Sequence, residues 1–184
     1  MAKTKPLNFE FNPVKFRELV LFIAQESQGD ERFGAVKLNK VLYYSDFYAY
    51  RMLGRPITGA HYQKLAEGPA PREWPPLRRQ MVDAGDAVIE SRPYFDSVQQ
   101  RIMPLRPAKT DSFSHREMDL VREVIRFFWP KTAREVSDFS HQEIGWQAAK
   151  PRETIPYEAA WLAAGPLSQE AEEYAGEVAT RLGR

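Results

Sequence analysis

The sequence predicts a mainly α fold with a small β element (α+β): a single compact helical domain with one β-hairpin or small antiparallel sheet. Three observations carry this expectation. Apolar residues recur at helical spacing through most of the chain. Two capping boxes, Ser114 with Glu117 and Thr132 with Glu135, mark helix starts. Residues that favour strands concentrate in two short stretches, 57–66 and 86–105.

The elements follow in order. Asn12 caps a first helix with Pro13 in its opening turn, and Phe16, Leu19, Val20 and Ile23 set its apolar face. Residues 1–11 read as an extended arm. The second helix spans Ala35 to Leu53 and is apolar around most of its circumference, which predicts a central rod enclosed by its neighbours. Gly54-Arg55-Pro56 stops it. Residues 57–66 read as one strand or connector, and Glu67-Gly68-Pro69 as a turn. A helix from about Pro71 to Ala84 precedes a hairpin of 86–92 and 98–105, joined by a longer loop at 94–97. Helices then open at the two capping boxes, with Gly145-Trp146 just beyond the second. A short helix at 156–163 and an acidic one at 168–182 complete the chain. The domain plan is an arm (1–11), a core (12–149) and a helical extension packed on it (150–184).

Composition narrows the function. No apolar run nears the ~18 residues that cross a bilayer, and the basic start lacks an adjoining apolar stretch, so a cytoplasmic protein without a membrane partner is expected. There are no cysteines, which removes thiol nucleophiles and thiolate zinc sites. Gly54, Gly59 and Gly68 are too far apart for a phosphate-binding loop, and no catalytic histidine or carboxylate pattern occurs. No enzyme, metal or cofactor is therefore expected. His141, at a helix end, reads as a cap or as packing against Trp146 rather than as a base.

Charge weighs against a nucleic-acid function without removing it. The chain has 26 basic and 25 acidic residues. A helix followed by a hairpin resembles a recognition helix and wing, with Arg72, Arg78, Arg79, Arg92, Arg101 and Arg106 available for phosphates. Residues 72–109 nonetheless hold seven basic and five acidic side chains, a weak footprint. Lys37, Lys40, Tyr44 and Phe47 form a stripe on the second helix. The stripe reads either as a binding surface or as lysine stems over aromatic rings with their ammonium groups in water. Asp46, on the same apolar helix, should be paired or cap another segment.

Three blocks in order then point to a family: Lys37-Leu38-Asn39-Lys40-Val41-Leu42-Tyr43-Tyr44-Ser45-Asp46-Phe47, Gly54-Arg55-Pro56-Ile57-Thr58-Gly59-Ala60, and Glu67-Gly68-Pro69-Ala70-Pro71. They resemble the Panacea domain, the SocA-like antitoxin family of bacteria and their phages, with Ser140-His141 and Trp146 similar to a later family element. Glu67 stands where the family usually has an aromatic, and Ala70 where an aliphatic is common. The resemblance spans about 14–149 and implies a non-enzymatic antitoxin of a phage or bacterial toxin–antitoxin module. Such a protein binds a cognate toxin encoded next to it, by occlusion or by delivery to a protease. The residues it suggests for partner binding are Lys37, Lys40, Tyr44, Phe47, Gly68, Pro69, His141 and Trp146. The segment after residue 150 carries no family motif and reads as the partner-specific part. The alternative is a DNA-binding regulator of its own operon, using the helix–hairpin arginines.

Overall fold

In the computed structural model, residues 9–94 and 97–162 are described; the first eight residues and the expected helix at 168–182 lie outside them. Helix α1 (Pro13–Glu26) starts where its sequence directs, with Asn12 Oδ1 accepting from the Lys15 amide at 2.9 Å. Helix α2 (Ala35–Leu53) begins after Gly34 and ends at Gly54, which takes the left-handed conformation (φ 79°). Most of α2 is buried, including Leu38, Val41, Leu42, Tyr43, Tyr44 and Phe47. It is the rod the sequence predicts, with neighbouring elements packed on several of its sides. Phe9 and Phe11 of the arm lie against the core, Phe9 edge-on to Tyr50 and Tyr157.

The first departure follows α2. Strands β1 (Tyr62–Leu65) and β2 (Gly68–Pro71) form an antiparallel hairpin with Leu65 opposite Gly68. The sequence suggested one strand and a turn at 67–69, because Gly-Pro-Ala-Pro carries every local turn signal. Its prolines are tolerated in β2 because, among the described residues, β1 is its sole strand partner, so missing donors on the other edge break no ladder. The other edge of β1 receives residues 152–155, where Arg152 N donates to Lys64 O (2.9 Å) and Ile155 N to Tyr62 O (2.8 Å).

Helix α3 (Trp74–Asp83) leads into a second hairpin, β3 (Ala87–Tyr94) and β4 (Ser97–Pro104), so there are two hairpins where one was expected. Pairing continues to Tyr94 opposite Ser97, which leaves a shorter connection than the expected 94–97 loop. Helices α4 (His115–Phe128) and α5 (Ala133–His141) both begin with complete capping boxes. Gly145-Trp146 lies just past the end of α5, as expected, in a short helix of its own, α6 (Ile144–Ala148). The short helix expected at 156–163 is present as a 3-10 helix, Tyr157–Trp161. Ile155, Tyr157 and Ala159 are buried, so the apolar core continues past residue 149.

Buried polar groups tie the layers together. Asp46 caps the 57–59 segment as a buried carboxylate should: its oxygens accept from Thr58 N (2.7 Å), Thr58 Oγ1 (2.5 Å) and Tyr62 Oη (2.7 Å). Burial raises its pKa to about 6 against the pull of these three donors. Arg101, buried in β4, donates to the carbonyls of Ser27, Gln28 and Asp30 and so fastens the α1–α2 loop.

Candidate functional site

The site forms where the β1–β2 hairpin meets the end of α5. Lys40 projects from α2 beneath the hairpin and donates to Pro69 O at 3.2 Å. Gly68 lies directly above in the left-handed region (φ 98°). A Cβ there would overlap Ser140 Oγ and stand 2.6 Å from Lys40 Cε, so only glycine fits. On α5, Ser137 and Ser140 are spaced to face the hairpin. Ser137 Oγ donates to Glu67 O (3.0 Å), and Ser140 Oγ turns back to Ser137 O (2.7 Å). Their small side chains are what let α5 approach the turn.

At the rim, the His141 and Trp146 rings stack with centroids 4.1 Å apart. Lys64 Nζ lies 4.2 Å from the centre of the Trp146 ring, and Trp146 Nε1 donates to Leu65 O at 3.1 Å. Trp146 is therefore held in a fixed orientation while remaining half-exposed, next to Leu65, whose side chain is 36% exposed. Behind it, Tyr44 Oη donates to Glu143 Oε1 (3.0 Å), and burial raises the Glu143 pKa despite that bond.

Six of the eight residues suggested by the sequence thus share one locus: Lys40, Gly68 and Pro69 as its floor, His141 and Trp146 as its rim, and Tyr44 as its rear support. The other two lie elsewhere. Phe47 packs among Tyr43, Tyr62 and Tyr157 in the core. Lys37 Nζ pairs with Asp30 and donates to Lys131 O (2.9 Å) and Trp129 O (3.3 Å), far from the hairpin turn. The expectation that both lysines keep their ammonium groups in water is overturned, since Lys37 is 2% exposed and Lys40 1%. Lys64, Leu65 and Ser137 were missed. The Ser137–Ser140–His141 spacing on a helix was the available signal; Lys64 had none, because its role depends on the pairing of β1.

The floor of this site, the hairpin above it and the helix end beside it are the blocks that a family model reads as one unit. A model for the SocA-like antitoxin, Panacea domain, matches residues 38–147. The chain belongs to that family. The matched span contains Lys40, Tyr44, Phe47, Gly68, Pro69, His141 and Trp146, and Lys37 immediately precedes it. No curated protein and no solved structure matches the chain. Among the described residues of this Panacea-domain protein, no helix is long and apolar enough to cross a membrane.

Proposed function

We propose that this Panacea-domain chain is the antitoxin of a toxin–antitoxin pair, neutralising a toxin encoded beside it by direct contact and without chemistry of its own. The family match carries this reading, because it covers the hairpin, the helix end and the rim residues together. The contacting face is the half-exposed rim of Leu65, Lys64, His141 and Trp146. An anchored aromatic ringed by polar groups is the kind of feature that dominates protein interfaces. The cytoplasm is the expected setting, and occlusion and delivery for degradation remain the two routes to neutralisation.

The DNA-binding alternative has less to draw on. Arg101 is buried on backbone carbonyls, Arg106 bridges Glu18 and Asp86, and Arg92 pairs with Glu90. That leaves Arg72, Arg78 and Arg79 of the six, too few for a phosphate-tracking surface.

Co-expression tests the reading. The product of the adjacent reading frame should arrest growth alone, and this chain should restore it. Trp146→Ala should reduce protection by more than tenfold in plating efficiency while lowering the melting temperature by only a few degrees. A harmless neighbour, or arrest that this chain does not relieve, would refute the proposal.

A further inference from the structure

Just beyond the matched residues, Lys150-Pro151-Arg152-Glu153 closes a tight turn, with Glu153 N donating to Lys150 O at 2.9 Å. Pro151 leads it, and Arg152 takes φ 65°, as the third residue of a type II turn does. That position favours glycine or asparagine. Arg152 is the only non-glycine residue with positive φ among the described residues. Glycine or asparagine would suit this backbone better, so the arginine calls for a reason in its side chain.

Its surroundings supply one. Arg152 N bonds to Lys64 O, so the turn sits beside β1 at the residue that covers Trp146. Arg72 donates through Nη2 to Arg152 O, bringing a second guanidinium to the turn, and Lys150 opens it. Among the described residues, none of Lys64, Arg72, Lys150 and Arg152 forms a salt bridge. Two carboxylates close by already accept hydrogen bonds: Glu153 Oε2 from the Lys150 amide within the turn, and Glu73 from His61. In a chain with 26 basic and 25 acidic residues, four cations without a salt bridge thus gather on β1 and the turn beside it, with Lys64 lying on the anchored tryptophan.

We infer that Lys64, Arg72, Lys150 and Arg152 form a cationic collar around Trp146 that receives an acidic protein segment of the partner. The inference rests on the antitoxin reading and specifies the partner's chemistry at the same face: carboxylates for the collar and an apolar side chain for Trp146 and Leu65. Protein carboxylates fit better than nucleic acid, because the exposed Leu65 lies beside Lys64 and offers an apolar contact that a phosphate backbone does not use.

The test uses the full chain, Arg152→Gly and the double variant Arg72→Ala/Arg152→Gly. Thermal melts come first: Arg152→Gly should melt at the same temperature or up to ~4 °C higher, since glycine relieves the strained turn. Titration of labelled poly-L-glutamate at ~50 mM salt should then show affinity at least tenfold weaker for the double variant, with the wild-type affinity falling steeply by ~300 mM salt. Duplex DNA of equal charge should bind more weakly than poly-L-glutamate. Unchanged polyglutamate affinity in the double variant, a lower melting temperature for Arg152→Gly, or tighter binding of DNA would each overturn the inference. Co-expression separates the two readings. Wild-type rescue with equal rescue by the double variant removes the collar and leaves the antitoxin. Absence of wild-type rescue removes the antitoxin, and the polyglutamate titration still decides the collar.

Discussion

Lys37 and Lys40 stand one turn apart on α2, both almost completely buried, yet their surroundings are opposite. Lys37 lies beside the Asp30 carboxylate and two backbone carbonyls, which hold its charge against burial. Burial still lowers its pKa, and Asp30 opposes the shift. Lys40 has one carbonyl, Pro69 O, and only a longer-range attraction from Glu67, so burial pushes its pKa down to about 7. One lysine is a charged clip that fixes the α1–α2 loop to the end of α4. The other is a nearly uncompensated stem that fills space beneath the β1–β2 hairpin. Burial alone therefore does not say what a lysine does; the number of acceptors around its nitrogen does.

The sharpest way to break the contrast is to remove the partner carboxylate. Asp30→Ala strands the Lys37 charge and should cost ~3–5 kcal/mol in a denaturant titration, a loss typical of a broken buried pair. Gly68→Ala attacks the other site through its backbone. The left-handed conformation and the overlap with Ser140 and Lys40 should together cost ~2–4 kcal/mol. The pH dependence is next in size. Between the folded pKa near 7 and the ordinary value of 10.5, the unfolded chain holds a proton that native Lys40 has lost. Stability should therefore rise from pH 7 to about 9.5, by up to ~1.4 kcal/mol per pH unit, and level off below about pH 6 with respect to this group. Equilibrium unfolding at a series of pH values checks this, and Lys40→Met should abolish the slope. At neutral pH the smallest effect belongs to Lys40→Met itself, within ~1 kcal/mol of the parent, because the methionine keeps the stem and loses a poorly matched charge. A loss as large as that of Asp30→Ala would show that the two lysines are equivalent after all.

Much of the fold was legible because its signals are local. The capping boxes at Ser114 and Thr132 place two helices to the residue, and Asn12-Pro13 and Gly54 bound two more. Asp46 was legible as a buried cap, since a lone carboxylate on an apolar helix requires donors, although nothing in the sequence identified Thr58 and Tyr62 as those donors. Strand β2 was not legible. Gly-Pro-Ala-Pro has no intrinsic strand preference and is extended because β1 pairs with it and α2 and α5 bury it. At the site, Lys40, Gly68, Pro69, His141 and Trp146 could be named from their motifs, whereas Lys64 and Arg152 could not. A strand pairing between residues some 90 positions apart brings those two together.

What the sequence determined alone is the helical frame and the central place of α2. Periodicity, capping side chains and helix-stopping glycines act within a few residues of where they stand and need no partner. The tertiary structure decided which charges are satisfied and which face is left free. The energy of a buried cation or a half-buried indole depends on atoms contributed by distant segments: Asp30 to Lys37, Pro69 to Lys40, Leu65 and Lys64 to Trp146. Electrostatic and packing terms belong to neighbourhoods in space, and only folding assembles them.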